Sequence, residues 1–575
     1  MPVRFKEEPV VLTRRLEERT VDASASGSVR LGAELPDAGQ VIRWQAFATV
    51  DRVSTEPGTG RVEAQGRVRV WAVYTARGSE SPDPLGAVFG GHLEGEPRWM
   101  AWMDAPASSA PTVWDVRVQV RDVEGRFRAD GRTADVDVVL SVTFSGAERQ
   151  TTSLVTHAWA TPPDRLEVVS APLRLQVLLD AERSRFSVSE SRALDLPAGA
   201  GTRFRVLDVR ALPLITQVEV KPGAVMVRGE IGYELLYALQ RVSRTSAAAG
   251  EDTPLADAEL FPAPEHPQAI ESPPAAPGRH WEAALASWSS AEPFVVTVPV
   301  ANSGPAAAGR AFATVSDVVV RTAPAEGIVH VTAEVDLAVH VYGARSLPVV
   351  TDLRPSEPTE VEQRKVSVGL ESYLGEGRRT FSAQATVELP AGGAAVDRVL
   401  WCGVRVESLS WRPEGSRLQV SVTLSPWMYY LPYRPDARTG GLVFMAWPSA
   451  VAVEQAVAMG ELKPQAQATV GVVNLMAEAD LINRQTVEFT VSGMVVAEAR
   501  LAGEQEVVAE AVVAAPQEQP PPFFYLVVTQ PGDTLWKLAR RYRTSEQAIA
   551  QANPSLANLA ATAPLGPGQR LFILR

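Results

Sequence analysis

The chain reads as a mostly β protein: tandem antiparallel β-sandwich-like repeat modules followed by a small βααβ domain. Three observations carry this reading. A strand pattern recurs three times, a second landmark keeps step with it, and near the C-terminus the apolar spacing changes from strand-like to helical.

The recurring segments are GRVEAQGRVRVWAVY (60–74), GAVMVRGEIGYELLY (223–237) and SRLQVSVTLSPWMYY (416–430). Alternate positions are mostly apolar, from Val62 to Tyr74, Val225 to Tyr237 and Leu418 to Tyr430, with Arg, Glu, Gln, Ser or Thr mostly between them. A period of two places one strand face on a core and the other toward water. Pro426 points to an edge position or a bulge in the third copy, and Val422 stands where Gly66 and Gly229 do. Upstream of each copy lies an acid-Leu-Pro triplet, ending at Pro36, Pro197 and Pro390. The triplets are 161 and 193 residues apart and the terminal tyrosines 163 and 193, so two independent markers move together.

Each repeat also carries a second strand pair, at 116–144, 312–342 and 468–496, preceded by the aromatic-rich stretches EPRWMAWMDAP, EPFVVTVPV and GLVFMAWPSA. Strand pairs joined by turns rich in Gly, Pro or Asp suggest antiparallel hairpins packed as sandwiches. The expected division is repeat 1 at 1–162, repeat 2 at 163–353, repeat 3 at 354–511, a linker at 512–522 and a terminal domain at 523–575. Residues 243–291 are rich in Pro, Ala and acid without strand periodicity, and read as a flexible insertion that lengthens the second interval. The linker contains AAPQEQPPPFF (514–524), stiffened by its prolines.

Composition narrows the function. At 575 residues several domains are expected, and 46% hydrophobic with 21% charged content is that of a soluble globular protein. A net charge of −12 argues against nucleic acid or an anionic membrane as partner, and no apolar run is long enough for membrane insertion. The charge is uneven: residues 524–575 hold six basic and two acidic side chains, +4 against −16 for the remainder. The single Cys402 excludes a disulfide framework and fits a reducing compartment. The N-terminal MPVRFKEEPVVLTRRLEERT has no apolar core of a signal peptide, so a cytoplasmic location is expected.

The paired V-x-V-x-G-x-V…Y strands resemble the SPOCS-domain proteins of endospore-forming bacteria, with VLDVRALPLITQVEVKPGAVMVRGEIGYELLYAL (206–239) the clearest match. A C-terminal LysM module after such repeats is similar to the domain order of spore-coat morphogenetic factors in that family. The resemblance implies an assembly protein on the mother-cell side of the developing spore envelope. It also implies that the LysM module contacts the ATPase of the coat's basement layer.

The terminal module carries its own signal. YLVVTQ reads as a strand and PGD as a turn; Leu535, Leu538, Ala539 and Tyr542 then fall on one helix face. Asp533 or Thr534 can cap that helix, and Thr544 with Gln547 form a capping-box pattern for a second, stopped by Asn553-Pro554. GPGQRLFIL closes the module with a turn and a strand. The series QPGDTLWKLARRY…AIAQANP…GPGQRLFI resembles the LysM family, whose members bind N-acetylglucosamine-containing glycans such as peptidoglycan. The resemblance implies a groove with one wall at Gly532, Asp533, Thr534 and Leu535 and a second at Asn553, Pro554, Ser555 and Leu556. Asp533 and Thr534 serve equally well as helix caps, Leu535 and Trp536 as core, and Asn553-Pro554 as a helix stop. Residues 557–567 are longer than the family's usual loop, which displaces the second wall in this reading. A single copy is a weak glycan site by itself. Either the protein is a homo-oligomer, or the module docks on protein.

No enzyme is expected. Cys402 lies in the apolar strand-like VLWCGVRVES, where a buried inert thiol is the expectation. His92, His157, His266, His280, His330 and His340 show no metal-ligand spacing, and no G-x-S-x-G, Walker A or G-x-G-x-x-G element occurs. No catalytic residue, metal or cofactor is therefore assigned. A phage-tail or baseplate-like structural protein carrying LysM, and a peptidoglycan-anchored wall protein, stand as alternatives.

Overall fold

The computed structural model describes residues 3–16, 18–56, 60–78, 83–105, 112–159, 166–196, 203–242, 279–301, 303, 307–355, 361–433, 441–460, 462, 466–513 and 524–574. Most of them lie in antiparallel strands, and three successive runs repeat one pairing plan.

The second run shows the plan most simply. Its long first strand, Leu166–Ala193, pairs with its last, Ile328–Pro355, whose other edge takes Ala307–Ala323. A second sheet is built on the hairpin Phe204–Lys221 and Ala224–Val242. The free edge of Ala224–Val242 takes two short strands end to end, Phe294–Pro299 and Arg279–Ser289. The third run repeats this with Val361–Glu388, Thr486–Val513 and Ala466–Asn483 in one sheet. Its other sheet holds Val396–Glu414, Arg417–Pro432, Val443–Ala446 and Val451–Ala458. In the first run the long strand is broken into Arg4–Arg15 and Arg19–Leu31, both paired with Thr133–Trp159, which also takes Thr112–Phe127. The hairpin Ala38–Thr55 and Arg61–Ala76 carries Val88–Glu94 and Arg98–Asp104. Two residue pairs, Arg30 with Glu94 and Leu31 with Leu93, fuse the two sheets of this run into one.

The three segments with alternating apolar residues thus occupy the same place, the central strand of each hairpin sheet. Val62, Val68, Val70, Val225, Val227, Val420 and Leu424 are all buried. In the first run the two sequence landmarks touch, the Tyr74 hydroxyl donating to the Pro36 carbonyl at 2.9 Å; in the third, Tyr430 donates to the Ala394 carbonyl, four residues past Pro390, also at 2.9 Å. Pro197 of the second triplet lies outside the described residues.

Several expectations need correction. Pro426 is neither at an edge nor bulged. It sits in a central strand at the break between its two short partners, Val443–Ala446 and Val451–Ala458, where a missing N–H interrupts no ladder. Its carbonyl accepts from the Trp447 amide at 2.9 Å. Val422 is not the counterpart of the glycines. In the first two runs the hairpin bulge lies opposite Gly66 and Gly229, but in the third it lies opposite Leu424, two residues further on. A Cβ on Gly66 would overlap the Thr49 carbonyl and the Trp99 ring; on Gly229 it would overlap the Phe294 ring and the Leu214 carbonyl. In the third run the residue facing Leu424 across the other edge is Val451, where Trp99 faces Gly66 and Phe294 faces Gly229. Of the expected insertion 243–291, residues 279–289 form a paired strand, Arg279–Ser289. Its core-facing residues include Ala283, Ala284 and Ala286 while Leu285 is exposed, so composition alone does not reveal the strand. Residues 243–278 lie outside the described residues, as do 514–522 of the linker.

The three runs form a ring. A single core takes in Trp71, Val73 and Val88 of the first, most of the second run's hairpin, and Trp401, Trp427 and Tyr429 of the third. At its centre equivalent positions meet, each just after a hairpin bulge: Arg43, Asp208 and Trp401. Arg43 Nη1 donates to Asp208 Oδ2 at 2.7 Å, and the Tyr429 hydroxyl donates to the same oxygen at 2.7 Å. Trp401 stacks on Tyr429 at 6.0 Å, and the Arg43 guanidinium lies 4.7 Å from Trp427 and 4.5 Å from Phe444. Burial pushes the Asp208 carboxyl upward against the pull of Arg43 and Tyr429.

Beyond the sandwiches the long first and last strands continue as three two-stranded ribbons, which pack on one another. One buried cluster joins Val10, Leu12 and Leu154 to Leu173, Val177 and Val349 and to Val368 and Val507; a second joins Val155, Val350, Leu353 and Val508. Each such aliphatic side chain contributes roughly 1.5–3 kcal/mol by burial. The ribbons therefore cohere through apolar contacts.

Candidate glycan-binding site

The C-terminal module has its own core. Phe524–Val528 pairs with Arg570–Leu574, and helices α1 (Leu535–Tyr542) and α2 (Glu546–Ala552) cover one face of this two-stranded sheet. Val527, Leu571 and Ile573 of the sheet bury against Leu535, Leu538, Ala539, Ile549 and Leu556.

Local chemistry fixes each turn. The Asp533 carboxylate accepts from the Gln530 amide at 2.8 Å, closing the turn in which Gly532 takes a φ of +83°. Thr534 caps α1, its hydroxyl accepting from the Lys537 amide at 3.2 Å. The second cap differs from expectation: Ser545, not Thr544, accepts from the Ala548 amide at 3.1 Å. Thr544 instead donates to the Leu574 carbonyl at 2.7 Å, because α1 ends in a left-handed Arg543 that turns it toward the closing strand.

The structure divides the eight candidate residues by exposure. Gly532, Pro554 and Ser555 are exposed, and no atom lies within 4 Å of a Cβ built on Gly532. Leu535 and Leu556 are buried in the module core, and Thr534 is half-buried. Asp533 is buried in its turn, 3.6 Å from Arg541. Asn553 is a buried clamp: its amide donates to the carbonyls of Ile549 at 2.7 Å and Phe572 at 2.6 Å, and its oxygen accepts from the Phe572 amide at 2.8 Å. Trp536, read as core, lies outside it, between Arg540 at 5.2 Å and Arg354 of the second run at 5.3 Å.

The long loop is the part that sequence reasoning left without a structure. Thr534 forms an antiparallel bridge with Pro564, Leu565 donates to the Asp533 carbonyl at 2.8 Å, and Trp536 donates to the Ala561 carbonyl at 3.1 Å. Residues 561–565 therefore run along residues 533–536, the expected first wall. The proline pair Pro564 and Pro567, flanked by Gly566 and Gly568, was the available signal for an ordered loop.

This arrangement, a helix pair on a two-stranded sheet with an open glycine turn facing an ordered loop, defines a small non-covalent binding module. Residues 527–574 match the LysM domain family. LysM domains bind N-acetylglucosamine-containing glycans such as peptidoglycan, and the chain carries one at its C-terminal end. No curated protein and no solved structure matches the chain.

Elsewhere, a cavity of about 500 Å³ opens where all three runs meet, lined among others by Arg15, Asp115, His340, Tyr342, Trp411, Glu498 and Arg500. Its carboxylates are matched to guanidinium groups: Glu498 contacts Arg500 and Arg310, and Asp115 lies 2.6 Å from Arg183. Arg15 donates to the Tyr342 hydroxyl at 2.5 Å. The Cys402 thiol donates to the Ala477 carbonyl at 3.1 Å, and burial pushes it up to about 12, away from nucleophile chemistry. Among the described residues no group of three or more His, Cys, Asp or Glu could hold a metal ion, and no helix is long and apolar enough to cross a membrane.

Proposed function

We propose that the chain is a non-catalytic assembly protein whose β ring forms a rigid scaffold and whose LysM module docks it on peptidoglycan glycan. The observation that carries this is the LysM match at 527–574, with Gly532, Pro554 and Ser555 exposed around the first turn and the following loop. Gly532 lets a sugar acetamide approach backbone, and the half-buried Thr534 and ordered Pro564 offer a small apolar surface to a pyranose face.

The finer reading is a morphogenetic protein of the spore envelope, placed on the mother-cell side. The domain order supports it: three SPOCS-like β runs followed by one LysM module. In that setting the LysM partner is cortex glycan or the basement-layer ATPase of the coat. The direct experiment is cosedimentation of the full chain with insoluble peptidoglycan. Wild type pelleting with wall, and Ser555→Trp remaining in the supernatant, supports the glycan reading. Absence of pelleting together with capture of a coat ATPase from sporulating cells shifts the module to protein docking. Absence of both removes the proposal.

A further inference from the structure

The LysM sheet has two apolar faces, and among the described residues only one of them is covered. Tyr525, Val527, Leu571 and Ile573 point toward the helices. On the other face Phe524 stands opposite Leu574, Leu526 opposite Phe572, and Val528 opposite Arg570. These five apolar side chains are 67% (Phe524), 50% (Leu574), 56% (Leu526), 52% (Phe572) and 49% (Val528) exposed. A solvated antiparallel face alternates apolar-in with polar-out; a sheet apolar on both faces belongs inside two layers. The module meets the β ring on another side, through Trp536 against Arg354, so the ring does not supply the missing layer.

We propose that this face is a dimer interface, occupied by the same face of a second copy of the chain. The area is the first argument. Side chains of this size and exposure leave on the order of 400–500 Å² of apolar surface per copy. A face-to-face pair removes on the order of 1,000 Å² in total, at the lower limit for a specific interface. The second argument is charge. The face carries one charged side chain, Arg570, at one end, so it offers little to an acidic partner and much to another apolar sheet. The third is symmetry. A two-fold axis crossing the strands at the Leu526–Phe572 pair makes the contact isologous. It also sets the two Arg570 groups at opposite ends, each over the Leu574 end of the other copy, so that the two charges do not meet. Two sheets in this relation form a four-stranded sandwich with its helices outside. The interface does not depend on what the LysM groove binds; it would present two grooves from one particle and so raise avidity.

The test is sedimentation equilibrium of the full chain over a concentration series reaching about 50 µM, the range that an interface of this size demands. Wild type is expected to approach twice 61.8 kDa. Leu526→Lys and Phe572→Lys are each expected to weaken the dimer at least about tenfold; both positions are over half exposed, so the module's melting is expected to stay unchanged. Should either lysine variant lose its fold, cross-linking decides. In a Cys402→Ala background, Leu526→Cys forms an interchain disulfide under mild oxidation, and Arg540→Cys on α1 does not. A wild type that stays at 61.8 kDa throughout overturns the proposal and returns the face to a different partner. So does a dimer indifferent to both lysines, or equal cross-linking at both cysteine positions.

Discussion

The β ring and the LysM module solve the problem of cohesion in opposite ways. Every element of the module is tied to a neighbour within about one module length, as Asn553 is to Phe572 and Thr534 to Pro564. In the ring the decisive contacts join residues more than a hundred positions apart: Arg43 to Asp208, Tyr429 to Asp208, Arg69 to Asp317. Apart from Trp536 against Arg354, the contacts described for the module are internal, and one apolar face is left over. A single β run would expose its share of the common core and leave half of a buried ion pair. Damage in the ring should therefore spread through all three runs, while damage in the module stays local.

The strongest way to break that contrast is Asp208→Leu. It strands the largely buried Arg43 guanidinium and the buried Tyr429 hydroxyl, and removing one partner of such a pair costs about 3–5 kcal/mol. Urea unfolding followed at all three runs should show one lowered transition; loss confined to the second run would refute the shared core.

The His340 imidazole sharpens the comparison through pH. Burial holds it down to about 4, with Asp115 opposing and Arg15, Arg117 and Arg183 adding to the effect. A base depressed on folding leaves the folded state with fewer protons than the unfolded chain, so its contribution is intact above the unfolded value near 6.5. It is lost as pH falls toward 4, by about 3 kcal/mol in all. His340→Gln should flatten the fall in ring stability between those limits, measured by urea midpoints at stepped pH, and leave the LysM melting profile unchanged.

Asn553→Ala removes three hydrogen bonds, two from the buried amide nitrogen, and should lower module stability by about 2–3 kcal/mol without moving the ring transition. The smallest expected effect is that of Thr534→Ala, about 1 kcal/mol from the lost α1 cap. Calorimetry resolving two transitions checks both, and a shift of the ring transition in either variant would contradict module independence.

Much of the strand layout was legible because a half-buried strand writes its period into the chain. Val62 to Tyr74 and Val225 to Tyr237 announce themselves in this way. The strand Arg279–Ser289 did not, because its inward positions include an alanine and it follows a Pro/Ala-rich stretch. The bulge shift in the third run was equally silent: moving a bulge by two residues preserves side-chain parity, so the pattern through Val422 and Leu424 looks unchanged. In the LysM module, caps and turns rest on neighbours in sequence, and most were readable. The roles of Asn553 and of the 561–565 loop were not, since both depend on strands and turns brought in from elsewhere.

By itself the sequence determined the β class, the threefold recurrence and the LysM module, because strand period, helix period and turn chemistry are local properties. Only the tertiary structure decided that the three runs close into a ring with Arg43, Asp208 and Tyr429 sharing one buried site. It alone decided, too, that among the described residues one face of the LysM sheet is left uncovered. Both depend on which surfaces meet across long stretches of chain, and alternation along a strand says that a face is apolar without saying what it faces.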